Sequence, residues 1–203
     1  MKKLVIIGAG GHGRVIADIA RLNGYEDIIF LDDDTSVTDC GRYKVKGTAK
    51  DAVDFAKSGY DISVAVGNSK IRERLIEDLM STGKIVSLIH PSAVIGEEVS
   101  VLTGTVIMAG AVINPGASIG KGCIINTGAS VDHDNTVGDY SHISVGAHLA
   151  GTVTVGRHVW VGIGASVSNN LEICDEVTLG AGAVVIKDII ESGTYVGVPA
   201  GRI

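Results

Sequence analysis

Aromatic side chains are scarce in this chain, at 4% of its 203 residues. Between residues 95 and 190 only Tyr140 and Trp160 occur, so a core there must be filled by aliphatic and small groups. Proline is as scarce, with three residues against 28 glycines. That ratio excludes a proline-rich disordered chain and argues for many tight turns. The three cysteines, Cys40, Cys123 and Cys174, are odd in number and lack metal-ligand spacing. Free thiols in a reducing cytoplasm are expected. No apolar run approaches a membrane span. The run after Lys3 stops at Gly8, too soon for a signal peptide.

Basic charge is missing from one half. Residues 1–94 carry 13 Lys/Arg and 13 Asp/Glu, a net of zero. Residues 95–190 carry three basic residues (Lys121, Arg157, Lys187) against nine acidic ones, a net of −6. That half repels nucleic acid. A polyanionic ligand there must be met by few cations and by main-chain N–H groups.

What is present is a strict repeat. Sixteen consecutive hexads begin at Ile95, and each opens with Ile, Val or Leu, through Val185. Neither a helical period of about 3.6 nor strand alternation yields a six. The fifth position is mostly small or aliphatic, as at Ala111, Ala129 and Val159. This pattern predicts a parallel β-helix in which three hexads form one triangular coil. Such a helix can be a passive rod. Against that stands the polar hexad containing Asp132, His133, Asp134 and Asn135, where Asn135 takes the usually small fifth place.

The first half reads differently. Residues 4–7, 28–31, 62–66 and 85–89 have the composition of buried strands, and 14–22 and 71–80 have helical spacing. A small, mostly parallel α/β sheet of Rossmann type is expected over residues 1–90, with the repeat domain and its tail over 91–203. Gly8, Gly10 and Gly13 match a dinucleotide fingerprint, and Asp32 ends the next strand. About 90 residues allow half of a full dinucleotide fold, so a nucleotide or nucleotide-sugar site is favoured over an NAD site. His12 lies within the loop as a turn residue or a ligand contact.

Taken in order, Gly8-Ala-Gly-Gly-His-Gly13, Phe30-Leu-Asp-Asp33, Ala65-Val-Gly-Asn68, Ile89-His-Pro-Ser-Ala93, the hexads and Val196-Gly-Val-Pro-Ala200 resemble the bacterial hexapeptide sugar acetyltransferases. Within that family the chain looks like the nucleotide-amino-sugar N-acetyltransferases of the bacillosamine and perosamine type, with sialic acid O-acetyltransferases as relatives. The resemblance covers essentially the whole chain. It implies a left-handed coil, acetyl-CoA as donor and a homotrimer; no metal is expected, and because no loop interrupts the repeat the active sites are expected to be completed between subunits or by the first domain. It makes His133 the general base, with Asp134 beside it and Asn126 near the substrate. It assigns His142 to acetyl-CoA and sets Ile163 and Ala181 beside the pantetheine arm. Gly10, Gly11, His12, Asp32, Asp33 and Gly67 then line the nucleotide-sugar site.

Counting residues adds to this. Neighbours on a flat strand point to opposite faces, so Asp134 can reach His133 only where the chain bends, and Asp132 competes with it. Residues about eighteen apart stack, which aligns His133 with Gly151 and makes the Gly151 N–H an oxyanion candidate. The column Asn126, Ser144, Gly162, Gly180 offers glycines against which a slim chain could lie. Lys187 and Arg202 are the best-placed cations for CoA phosphates, or else plain surface charges. A three-histidine zinc site lacks a ligand ahead of His133 in the coils. O-acetylation of a sugar such as sialic acid, a non-catalytic nucleotide-sensing scaffold and an NAD dehydrogenase are the alternatives.

Overall fold

The computed structural model describes residues 1–203, which divide into two compact units, 1–91 and 92–203. In the first, β1 (Lys2–Ile7) is the middle strand of a three-stranded parallel sheet, between β2 (Tyr25–Leu31) and a strand at Asp61–Val64. Leu4, Val5, Ile6, Phe30, Leu31 and Ile62 are wholly buried there, as expected of a sheet covered on both faces. Helix α1 (Gly11–Leu22) packs Ile16, Ile19 and Ala20 onto it.

Three details depart from the sequence reading, the first being that residues 85–89 add no strand to this sheet, which Ile85 meets only through a single bridge to Ile62. Helix α1 starts at Gly11, inside the glycine loop, three residues earlier than the spacing of apolar residues suggests. Gly13 allows this: a Cβ there would lie 2.1 Å from the Gly8 carbonyl oxygen. A small hairpin, β3 (Asp39–Cys40) with β4 (Tyr43–Lys44), and a short helix α2 (Ala52–Lys57) also stand between β2 and the next strand, now β5 (Asp61–Val64). These elements are too short to leave a periodic trace. The second long helix, α3 (Ser69–Met80), starts at Asn68, whose Oδ1 accepts the N–H groups of Lys70 and Ile71.

The second unit is a left-handed parallel β-helix with three faces. Each face is a ladder of short parallel strands paired eighteen residues apart, as in Val112↔Ser130 and Ser130↔His148. Face one holds Ser130–Val131, face two Thr136–Val137 and face three His142–Ile143, together with their equivalents in other coils. From Ile107 to Val185 the hexad openers are buried along the interior. No helix in the chain is long and apolar enough to cross a membrane.

The corners show why the period is six. From Glu98 to Gly182, the fourth residue of every hexad has a positive φ near 60–80°. A left-handed residue turns the chain at low cost only for glycine, with Asn and Asp next. At the corner joining face three to face one, all five are glycine: 110, 128, 146, 164 and 182. The other two corners together have glycine at only three of ten such positions, 104, 116 and 122. One corner therefore has no side chain at its left-handed position in any coil.

Asn135 has a purely architectural use. Its Nδ2 donates to the Asp132 and Ala150 carbonyls, at 2.7 and 2.9 Å, and its Oδ1 accepts the Val153 N–H at 2.9 Å. Ser141 does the same with its hydroxyl, donating to the Gly156 carbonyl and accepting the Val159 N–H, and Thr105 repeats the arrangement. The polar fifth position staples one coil to the next. Its contrast with the small residues elsewhere is no sign of chemistry, which corrects the sequence reading. Asn135→Ala should lower stability by about 3 kcal/mol in chemical denaturation, because buried main-chain groups lose their partners. Asn135→Ser should recover much of this, since Ser141 already shows that a hydroxyl suffices.

Candidate active site

His133 and Asp134 sit at the corner joining face one to face two. Asp134 is one of the left-handed residues, with φ 57°. That turn resolves the difficulty of adjacent side chains: the carboxylate swings back, and its Oδ2 lies 2.9 Å from His133 Nδ1. Two glycines from neighbouring coils leave room for the pair. A Cβ on Gly116 would approach Asp134 Oδ1 to 2.6 Å, and one on Gly151 would approach His133 Nε2 to 2.4 Å. The imidazole lies directly over Gly151, which is buried, while the His133 side chain is 58% exposed. The N–H of Gly151 makes no hydrogen bond within the chain.

The hydrogen bond that His133 donates to Asp134 raises the His133 pKa above its ordinary value; desolvation opposes this, and the charges of Asp132 and Asp134 add to the rise. With Nδ1–H held by the carboxylate, Nε2 is the basic atom. Asp132 takes no part in this bond. Its Oδ1 accepts from Asn114 Nδ2 and from the His133 main-chain N–H, both at 2.7 Å, and these bonds lower its pKa. Of the two acids left open by the sequence, Asp134 is the one on the imidazole.

Asn126 and His142 come together at a different corner, the one joining face three to face one. Asn126 Nδ2 lies 3.0 Å from His142 Nε2. His142 stacks on the half-exposed Trp160, with ring centroids 5.7 Å apart and planes 13° apart. Ile163 and Ala181 are exposed on this corner. One chain therefore does not bring Asn126, His142, Ile163 and Ala181 onto the corner of His133. Gly162 and Gly180 are explained by packing: a Cβ on Gly162 would meet the Leu179 carbonyl oxygen at 2.4 Å, and one on Gly180 would meet Val196 at 2.8 Å. They are not a bare lane. The bare lane is Gly110, Gly128, Gly146, Gly164 and Gly182, where a Cβ would find nothing within 4 Å. Sequence reasoning passed these over by counting along the column of Asn126 instead of two positions further on.

Lys187 and Arg202 line one groove of about 340 Å³, with Ile186, Tyr195 and Pro199. Lys187 is exposed and makes no ion pair. Arg202 is engaged: its Nη1 is 2.6 Å from Glu191 Oε2. The remaining histidines are spread apart, with His148 on Ser130 Oγ and His158 stacked on Tyr140.

In the first unit, Gly10, Gly11 and Gly67 present bare backbone, with nothing within 4 Å of a Cβ on any of them. Gly10 and Gly11 also open helix α1, whose first N–H groups lack helical partners. The two acids serve the loops. Asp32 accepts the Ala9 N–H at 2.7 Å and the Asp34 N–H at 2.9 Å, and Asp33 accepts the Ala49 N–H at 2.9 Å. His12 has its Nε2 shut away without a partner. Burial, then the charge of Arg72, pushes its pKa down to about 4, so the ring is neutral.

A family model described as the PglD N-terminal domain matches residues 3–79. UDP-N-acetylbacillosamine N-acetyltransferase of Bacillus subtilis (strain 168) is 39% identical over 115 residues, 54% of this chain and 52% of that protein. The match thus spans about half the length of that curated relative. Solved structures match throughout. The acetyltransferase domain of PglB from Neisseria gonorrhoeae FA1090, in complex with acetyl coenzyme A, is 39% identical with a TM-score of 0.95, covering 100% of this chain and 99% of that one. PerB from Caulobacter crescentus, in complex with CoA and GDP-perosamine, is 35% identical with a TM-score of 0.94, covering 100% and 98%.

Proposed function

Since the chain belongs to the bacterial hexapeptide-repeat acetyltransferases related to PglB and PerB, we propose that it transfers acetyl from acetyl-CoA to the amino group of a nucleotide-linked amino sugar. The observation that carries this reading is the His133–Asp134 pair, seated between two glycines, in a chain matched along its whole length by structures that hold acetyl-CoA or CoA with GDP-perosamine.

Acetyl-CoA supplies the acyl group as a thioester. His133 Nε2 takes the proton from the sugar amine as its nitrogen bonds to the acetyl carbon. Asp134 holds the imidazole by Nδ1 and stabilises the imidazolium that results. The Gly151 N–H is the candidate donor to the carbonyl oxygen as charge builds on it. The proton on Nε2 then passes to the departing CoA sulfur, leaving an amide and a free thiol. The bare glycine lane fits the slim pantetheine arm, with Asn126, His142, Ile163 and Ala181 beside it and Lys187 free for a phosphate. Gly10, Gly11 and Gly67 would let the diphosphate of the nucleotide sugar approach main chain, with His12, Asp32 and Asp33 shaping the loops around it.

The dyad and the glycine lane lie on different corners, which supports a site completed by a neighbouring copy, as in the homotrimer that the family resemblance implies. Sedimentation equilibrium tests that directly. Three free cysteines and acetyl-CoA as donor support a cytoplasmic setting.

The test of function is thiol release from acetyl-CoA against a panel of UDP- and GDP-linked 4-amino sugars, free amino sugars and sialic acid. Turnover confined to nucleotide-linked amines is expected. Turnover on sialic acid alone would move the assignment to O-acetylation, and no thiol release with any acceptor would sink the enzyme reading.

Asp134 gives a pH prediction. Its hydrogen bond raises the His133 pKa, and the base acts only when deprotonated. The acid limb of kcat/KM in the wild type should therefore lie above the ordinary imidazole value. Asp134→Asn, which tolerates the left-handed backbone, should move that limb to lower pH and reduce the plateau by about 10-fold or more through a weaker, less oriented base. An unmoved limb would remove Asp134 from the mechanism.

A further inference from the structure

His133 is flanked in sequence by two carboxylates, and only one can accept from its Nδ1. Asp134 does so. What restrains Asp132 lies one coil earlier. Asn114 has its main-chain N–H fixed on the Val131 carbonyl at 2.9 Å, and its side-chain Nδ2 donates to Asp132 Oδ1 at 2.7 Å. The same oxygen accepts the His133 main-chain N–H at 2.7 Å. One atom thus ties the backbone of the histidine to the coil beneath it.

We infer that Asn114 is a positioning residue: by holding Asp132 on the main chain of His133, it reserves the imidazole Nδ1 for Asp134 and fixes where Nε2 stands. The inference rests on the proposed role of His133. Asp132 and Asp134 are the charged groups acting on that imidazole. If Asn114 is removed, Asp132 loses one of its two donors and is free to compete for Nδ1. If Asp132 becomes Asn, an amide oxygen at the same place still accepts both N–H groups, so the geometry survives without the charge.

These differences make a sharp test in the full-length protein. Asn114→Ala and Asp132→Ala should lower kcat by about 10- to 100-fold, as small misplacements of a reacting group do, with KM for acetyl-CoA unchanged. Asp132→Asn should stay within about 3-fold of wild type on the same argument from geometry. The double variant N114A/D132N should be more active than N114A, because the competing carboxylate is gone. A second readout needs no turnover: NMR titration of the His133 ring should give a higher pKa in N114A than in wild type.

Several results would overturn the inference. N114A with wild-type kcat and only a lower melting temperature would make Asn114 structural. D132N as impaired as D132A would make the Asp132 charge the operative feature. An unmoved His133 titration in N114A would show that no competition exists. A wild type without turnover on any acceptor would refute the proposed function instead, and the titration would still decide the role of Asn114.

Discussion

His133→Ala is expected to abolish most acetyl transfer while leaving acetyl-CoA binding nearly intact. A positioned general base contributes about 10²- to 10⁴-fold, so kcat should fall by that order while equilibrium binding of CoA by calorimetry changes little. The separation follows from the coil. His133 stands on the corner between faces one and two, and the bare glycine lane and Asn126 stand on the corner between faces three and one. Removing an exposed imidazole takes nothing from the interior, so the fold should be unchanged. Variants of Asn126 or His142 should show the reverse balance, a larger effect on KM for acetyl-CoA than on kcat. Full activity in His133→Ala would refute the assignment of the base.

The fold was legible because its period is covalent. A chain that must turn every six residues repeats its aliphatic openers, and neither a helical nor a strand period produces sixteen in succession. The partner of the base was only half legible. Neighbouring residues oppose each other on a strand, and the departure from that rule depends on Asp134 lying in the left-handed region. The fourth place of each hexad carries that conformation, with glycine or a polar residue at most of its positions. The pattern was open to reading but was overshadowed by the first and fifth places. In the sequence Asn135 points the wrong way because a buried amide and a catalytic amide look alike in one dimension. Only its bonds to Asp132, Ala150 and Val153 show that it joins coils. Gly162 and Gly180 look like open surface in the sequence for a related reason. A glycine is absent of side chain both where a ligand lies and where another main chain lies, and the sequence does not say which.

Gly151 turns that ambiguity into the second large expected effect. Gly151→Ala should reduce kcat by about 100-fold, the scale set by misplacing a reacting group by roughly an ångström. The new Cβ would stand 2.4 Å from His133 Nε2 and 2.6 Å from its Cε1, contacts a methyl group does not make. Because the obstructing group is an exposed side chain, the ring yields and the coil does not. Thermal stability should therefore remain near that of wild type. Gly162→Ala is the control, since its Cβ would strike the Leu179 carbonyl oxygen at 2.4 Å, and main chain of the next coil cannot rotate away. That variant should lose stability first, and activity only as a consequence. The displaced imidazole in Gly151→Ala should also release its bond to Asp134, so its pKa should fall towards the ordinary histidine value, with the acid limb of kcat/KM moving down in pH. A Gly151→Ala enzyme with wild-type kcat and an unmoved acid limb would show that His133 does not need its place over Gly151 to act. If kcat falls while the acid limb stays, the bond to Asp134 has survived, and the loss then lies with the added methyl group crowding Nε2, where the amine must be met.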